Sequence, residues 1–134
     1  AFVVTGAAGT YSLSGTSPTY TLNGPTGSDT LSGIQVIQTA SGVLLTPVTP
    51  NNAITVSGTN SVVSVNADGA VANYNPTLAN PLVLDGGEGD DTFNVDFAGG
   101  LTLPSNGLNV LGGIGGNDTL NVTNAPSGNH VFNY

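Results

Sequence analysis

The chain has 134 residues, enough for one domain with a hydrophobic core, and it contains no lysine, arginine or cysteine. Its 8 acidic residues give a formal net charge of −8, so the basic patch that binds nucleic acid or an anionic membrane surface cannot be formed. Disulfide bonds are excluded, and no apolar run has the length of a transmembrane helix.

Short segments of alternating apolar and polar residues recur along the chain and are typical of half-buried β-strands. The most regular of them precede glycine-rich turns, at residues 20–24, 54–58, 82–86 and 108–112. No segment has the length and periodicity of an amphipathic helix. The sequence therefore predicts an all-β protein, and no linker or domain boundary is evident.

A short turn motif recurs at nearly constant intervals. GDDTF at 89–93 reappears as GNDTL at 116–120 and GSDTL at 27–31, and a fourth, weaker copy is GTNSV at 58–62, with Asn in place of Asp. The key position is thus Asp29, Asn60, Asp91 or Asp118, at steps of 31, 31 and 27 residues. A repeat of this size is typical of stacked architectures.

We therefore predict a right-handed parallel β-helix, or β-solenoid, with about four and a half coils of three strands each. The predicted coils, within a single domain, are residues 1–29, 30–60, 61–91, 92–118 and a partial coil 119–134. Inward ladders would include Leu22, Val56, Leu84 and Val110. The proline-bearing stretch 46–52 would be a long turn. A β-sandwich, which also has many short strands at regular spacing, is the alternative.

One turn resembles a known calcium-binding motif. Residues 86–94 (GGEGDDTFN) match the nonapeptide G-G-x-G-x-D-x-U-x of repeats-in-toxin proteins, and the turns at 113–120 and 24–31 match it with Ile114 and Pro25 in place of the second glycine. The resemblance implies that Asp carboxylates and backbone carbonyls hold calcium between neighbouring coils. The composition is also similar to that of repetitive regions in giant bacterial surface and secreted proteins, including those of planctomycetes.

The acidic residues of these turns are the candidate metal ligands: Asp29, Asp85, Glu88, Asp90, Asp91 and Asp118. Stacking would place Asp91 about 5 Å from Asp118, and carboxylates that close repel unless one is protonated or a cation lies between them. Glycine-rich turns expose the carbonyl oxygens that Ca²⁺ accepts as ligands. We therefore expect Ca²⁺ at the rim. The alternative is an Asx turn, in which Asp accepts backbone N–H bonds; it is the preferred interpretation at Asp29.

No catalytic constellation is recognisable in the sequence. His130 is the only histidine, which argues against a catalytic triad or a histidine-rich metal site. We expect a non-enzymatic, calcium-stabilised structural module, extracellular or at the cell surface, that builds a fibre, surface layer or large adhesin.

The expected partners are further copies stacked end to end or neighbouring repeats of a longer chain, with a glycan as a further candidate. Neither nucleic acid nor membrane insertion is expected. A carbohydrate-binding or adhesive module is the main alternative. A β-helical glycan-degrading enzyme, which would need two converging carboxylates, is the next.

Overall fold

The computed structural model describes residues 2–4, 12–16, 19–32, 37–39, 43–45, 50–77 and 81–128, and these residues form strands and no helix. The strands are β1 (Phe2–Val4), β2 (Ser12–Thr16), β3 (Thr19–Gly24), β4 (Gly27–Ser32), β5 (Ile37–Thr39), β6 (Val43–Leu45), β7 (Ala53–Gly58), β8 (Val63–Ala67), β9 (Ala70–Tyr74), β10 (Leu82–Asp85), β11 (Thr92–Asp96), β12 (Leu108–Leu111) and β13 (Thr119–Thr123). They form three sheets, with strand orders β1-β5-β6-β10-β12, β13-β11-β7-β8-β9 and β2-β3-β4. The all-β prediction is confirmed for this part of the chain. His130 and residues 46–49 lie outside the described residues.

The prediction of a right-handed parallel β-helix is wrong, because the sheets are mixed. β2, β3 and β4 form an antiparallel meander, as do β7, β8 and β9, and β5 pairs antiparallel with β6. Between β8 and β9 the chain reverses at Asp68 and Gly69, whose φ angles are 48° and 88°. Two successive positive φ angles fit a type I′ turn, which joins antiparallel strands. Such hairpins interrupt the uniform coils that the equal spacing predicted.

Three two-strand segments do stack in parallel on one another, and the second and third of them contain the acidic turns. In one sheet β10 lies between β6 and β12, and in another β11 lies between β7 and β13. We call β6 with β7 the first pass, β10 with β11 the second pass, and β12 with β13 the third pass. Each pass contributes one strand to each of the two larger sheets.

The main hydrophobic core lies between these two sheets. Inward side chains of β10 and β12, such as Leu84 and Val110, form one cluster with those of β7 and β11. Ile54, Phe93 and Val95 are at most 1% exposed. Burial of each such side chain stabilises the fold by about 1.5–3 kcal/mol.

The predicted inward ladder is correct in part. Leu84 and Val110 are neighbours in register. Val56 instead lies in the other sheet, beside Val95, and Leu22 lies in β3, in the separate antiparallel sheet.

Candidate functional site: the stacked acidic turns

The residues that precede the second strand of each pass lie in register with one another. Thr92, at the start of β11, pairs with Ala53 of β7 and with Thr119 of β13. The two residues before each of these strands therefore stack as three rungs. The outer residues of the rungs are Asn51, Asp90 and Asn117, and the inner residues are Asn52, Asp91 and Asp118.

The inner residues bind one another through side-chain oxygens and backbone N–H groups. Oδ1 of Asp118 accepts a hydrogen bond from the backbone N–H of Asp91 at 2.9 Å. Oδ1 of Asp91 accepts one from the backbone N–H of Asn52 at 2.7 Å. The side chains of Asp91 and Asp118 thus behave as Asx-type caps, but each caps the neighbouring pass rather than its own.

The outer residues form a second row of hydrogen bonds that runs in the opposite direction. Oδ1 of Asp90 accepts from the backbone N–H of Asn117 at 2.7 Å, and Oδ1 of Asn51 accepts from the backbone N–H of Asp90 at 2.7 Å. Two side-chain bonds of opposite direction therefore hold each rung to the next. A hydrogen bond of this kind contributes about 0.5–1.5 kcal/mol net, and more when one partner is charged.

Asp91 differs from the other acidic residues because its side chain is buried, with 0% of its surface exposed. Its Oδ1 accepts from both the backbone N–H and, at 3.0 Å, the Nδ2 of Asn52. Its Oδ2 is buried and accepts no hydrogen bond from the described residues. Burial raises the pKa of Asp91; the bonds from Asn52 oppose the rise and the charge of Asp118 adds to it. The chain has no Lys or Arg to neutralise this carboxylate.

Two glycines make room for the inner carboxyl groups. A Cβ on Gly86 would overlap the carboxyl group of Asp91 and lie 2.7 Å from the carbonyl oxygen of Gly112. A Cβ on Gly112 would overlap the carboxyl group of Asp118 in the same way. Oδ2 of Asp91 and the carbonyl oxygen of Gly112 therefore lie on the same side of Gly86. Oδ2 of Asp118 lies against Gly112, in the equivalent place one pass further along the stack. These three oxygens are the candidate ligands for a cation near Asp91.

The other predicted ligands of this region lie around the rungs but point to separate partners. Asp85, at the end of β10, accepts the backbone N–H of Gly87 at 3.0 Å, as in an Asx turn. Glu88 is exposed and forms an isolated parallel bridge with Ile114. The described part of the chain contains no group of three or more acidic or histidine side chains arranged to hold a metal ion. Calcium binding therefore stays a prediction.

Asp29 and Asn60 do not belong to the stack, so the predicted alignment of four key positions is wrong at both. Asp29 is exposed in β4, opposite Leu22 of the antiparallel strand β3. Asn60 is exposed in the connection between β7 and β8. The alignment is correct for Asp91 and Asp118.

Asn51 and Asn52 occupy the place that the repeat spacing assigned to Asn60. A signal for them exists in the sequence: residues 51–56, 90–95 and 117–122 share two Asn or Asp residues, then Ala or Thr, an apolar residue, a polar residue and Val. The inner rungs are separated by 39 and then 27 residues. The longer interval accommodates the β8–β9 hairpin, which an equal step could not reveal.

The outward side of β11 and β13 carries a smaller polar ladder. Nδ2 of Asn121 donates to Oδ1 of Asn94 at 3.0 Å. Asp96 accepts from Nδ2 of Asn124 at 2.8 Å and from the backbone N–H of Ala98 at 2.9 Å. These bonds, that from Asn124 first, lower the pKa of Asp96. This outward ladder thus ties the second pass to the third at the sheet surface.

Comparison with protein-family models, curated proteins and solved structures gives no match. Within the described residues, no helix is long and apolar enough to cross a membrane.

Proposed function

We propose that the chain is a non-enzymatic structural module of an extracellular or cell-surface fibre, surface layer or large adhesin. The observation that carries this proposal is how the rungs use their polar groups. Inner and outer side chains bind the backbone of the neighbouring pass. Carboxylates that act on a substrate must instead be within reach of it.

The burial of Asp91 weighs against the glycan-degrading alternative. Glycoside hydrolases place two carboxyl groups on either side of the scissile bond, roughly 5–9.5 Å apart. Asp91 and Asp118 are neighbours, but Asp91 is 0% exposed. A sugar could not reach its carboxyl group without displacing the pass above it.

Calcium is proposed as the counter-ion of the buried carboxylate, as the resemblance of residues 86–94 implies. The supporting observation is Oδ2 of Asp91, which is buried without a hydrogen-bond partner. This oxygen, the carbonyl of Gly112 and the carboxylate of Asp118 would provide ligands. Bound calcium would offset the repulsion between the two acids, because oxygen ligands and negative charge are what Ca²⁺ prefers.

Thermal unfolding with calcium and with a chelator tests the metal. The wild-type melting temperature is expected to rise with calcium, whereas Asp91→Asn, which removes the buried charge, should respond much less. Identical melting of the wild type in both conditions would remove calcium from the proposal and leave the structural role standing.

The structural role is tested by Asp118→Ala. Loss of the cap on the backbone N–H of Asp91 should lower the free energy of unfolding by about 1–2 kcal/mol. Asp29→Ala removes an equal charge from an exposed position outside the rungs, so it should change stability by no more than about 0.5 kcal/mol. Similar losses in the two variants would contradict a stabilising role for the rungs.

Location is tested by antibody labelling of intact cells of the source organism. Detection at the surface or in extracellular fibres is expected, and detection only in the cytosol contradicts the proposal.

A carbohydrate-binding module is the second candidate, favoured by the outward amide ladder of Asn94 and Asn121. Retention on a glycan array that Asn121→Ala abolishes would establish that alternative. No retention is expected from a purely structural module.

A further inference from the structure

In the part of the chain that the structure describes, the third pass forms an open end of the stack. Among the described residues, β12 pairs only with β10, and β13 pairs only with β11. The opposite end is covered, since β6 pairs with β5 and β7 pairs with β8. The two ends of the stack therefore offer different surfaces.

The outer edge of β13 presents backbone groups suited to strand addition. The N–H of Thr119 donates to Asp91 O at 2.8 Å, and Thr123 O accepts from the N–H of Phe97 at 3.1 Å. The odd-numbered residues of β13 thus face the second pass. In a parallel strand the alternate residues face the other way, which directs the backbone groups of Leu120 and Val122 to the open edge.

A groove with an apolar part lies at this end of the stack. It has a volume of about 560 Å³; Phe93, Val110, Leu120 and Val122 form its apolar part, and Gly112, Asp118 and Thr119 line the rest. Leu120 and Val122 continue the rows of Phe93 and Val95 in register, yet they are half-buried where those are 1% exposed. The groove is therefore shaped to take the next apolar side chains of the same two rows.

The last rung is also incomplete. In the first and second rungs, the inner residue donates its backbone N–H to the next pass: that of Asn52 to Oδ1 of Asp91, and that of Asp91 to Oδ1 of Asp118. No described residue caps the N–H of Asp118 in this way, and the side chain of Asn117 makes no bond like that of Asn51 to Asp90. One more rung would satisfy both.

We propose that the open end is a docking site for a two-strand segment of another polypeptide that repeats the pattern of the third pass. The segment carries apolar-polar-apolar strands on both sides of a glycine-rich turn, with Asn or Asp at its inner rung position. Its inner Oδ1 accepts the N–H of Asp118, and its strands pair in parallel with β12 and β13. Asn is preferred over Asp there, because a second carboxylate would stand next to Asp118.

A second copy of this chain fits the site less well. Among the described residues its free edges are β9, which runs parallel to β13 but follows Asp68-Gly69 rather than an Asn/Asp pair, and β1, which runs antiparallel to β12, so the two edges together do not match a further pass. Contact between two open ends through β13 would pair the strands antiparallel, so the rungs of the two copies would lie at opposite ends of the paired strands and could not stack. Each copy also carries a net charge of −8, which disfavours association at low salt.

The test uses a capped synthetic peptide of residues 107–124, whose only charged residue is Asp118. Binding of a labelled peptide to the protein is followed by fluorescence anisotropy for three versions, with Asn, Asp or Ala at position 118 of the peptide. The Asn version should bind tightest. The Ala version, which lacks the rung oxygen, should bind about 3- to 10-fold more weakly, and a scrambled peptide should not bind.

Two matched variants of the protein locate the site. Val122→Lys puts a charge into the groove at the open edge, and lysine on edge strands opposes strand addition. Val71→Lys adds the same charge to β9, where Val71 is 55% exposed at the far edge of the sheet. Loss of binding in Val122→Lys with retention in Val71→Lys is expected.

The outcomes separate this site from the structural role on which it depends. Absence of binding, equal binding of the Asn and Ala peptides, or equal effects of the two lysines overturns the docking site while leaving the rung tests unaffected. Dimerisation of the protein alone that Val122→Lys abolishes would assign the end to a second copy, and it also overturns the proposal. Because the peptide series is measured on the wild-type protein, the proposal stays testable even if Val122→Lys does not fold.

Discussion

Replacement of the buried carboxyl group by an amide, Asp91→Asn, should stabilise the metal-free protein at neutral pH. The amide keeps an Oδ1 that can accept both hydrogen bonds from Asn52. It removes a charge that is buried and next to Asp118, in a chain that has no Lys or Arg to pair with it. It also replaces the unpartnered Oδ2 by an NH₂ group that can donate to a nearby carbonyl such as that of Gly112.

The size of the expected stabilisation follows from the free energy that the buried Oδ2 of Asp91 costs the fold. A buried acceptor without a partner costs about 1–3 kcal/mol, and more when it is charged. The free energy of unfolding should therefore rise by about 1–3 kcal/mol. For a chain of this length, each kcal/mol shifts the melting temperature by roughly 3–4 °C.

Urea unfolding in the presence of a chelator, followed by circular dichroism, measures the change. The matched control is Asp90→Asn, the same chemical replacement at the outer position of the same rung. Asp90 is exposed, and its Oδ1 has an equivalent role toward Asn117. Because no buried charge is removed there, the control should change stability by no more than about 0.5 kcal/mol.

The pH dependence provides a second readout of the same variant. Since burial raises the pKa of Asp91 above its unfolded value, the folded state holds the proton more tightly. The stability that protonated Asp91 contributes to the fold is fully present below the unfolded pKa of about 3.9. It is lost as the pH rises through the folded pKa. The difference in free energy of unfolding between Asp91→Asn and the wild type should therefore increase between the unfolded and the folded pKa and stay constant at higher pH. A wild type that is as stable as the variant at neutral pH without metal would refute the reasoning.

Two further substitutions examine the neutral parts of the site. Asn52→Ala removes the Nδ2 that donates to Gly86 O at 2.6 Å and to Asp91. The free energy of unfolding measured in urea should fall by about 2–4 kcal/mol, against about 0.5–1.5 kcal/mol for Asn51→Ala at the exposed outer position. Equal losses would contradict the importance of burial. Gly86→Ala should cost more than about 2 kcal/mol by forcing a Cβ against the Asp91 carboxyl group. The control is Gly107→Ala, at a glycine with a φ of 87° and open space where its Cβ would lie; it should cost only about 1 kcal/mol, from left-handed backbone strain. A larger loss for Gly107→Ala than for Gly86→Ala would mean that the close contact at Gly86 is relieved without cost.

The strands could be predicted from the sequence, whereas their directions could not. Alternation at Phe93–Val95 and Leu120–Val122 reports which face of a strand is buried, and those residues are indeed aligned in parallel. Alternation contains no information about whether the next strand returns beside its neighbour. That is decided by short turns, and the type I′ geometry at Asp68–Gly69 depends on two φ angles that an Asp-Gly pair permits without requiring.

Half of the candidate site could be predicted in the same way. The glycine-rich motif identified Asp91 and Asp118, because glycine is needed where their carboxyl groups meet the backbone. It could not identify Asn52, which has no such glycine pair before it and is separated from Asp91 by the β8–β9 hairpin. The burial of Asp91 was equally inaccessible, since it results from contacts between passes that are distant in sequence.

The near identity of the two residues within each rung has a consequence for folding. The rungs are Asn-Asn, Asp-Asp and Asn-Asp, so a slip of one residue between passes would exchange groups of almost the same hydrogen-bonding capacity. The hydrogen bonds of the turns therefore cannot determine the register between successive passes. The strands must do so, because the same slip would turn Phe93 and Val95 toward water, at about 1.5–3 kcal/mol for each side chain. A register error between passes is therefore disfavoured by the hydrophobic side chains of the strands. The polar contacts of the rungs would tolerate it.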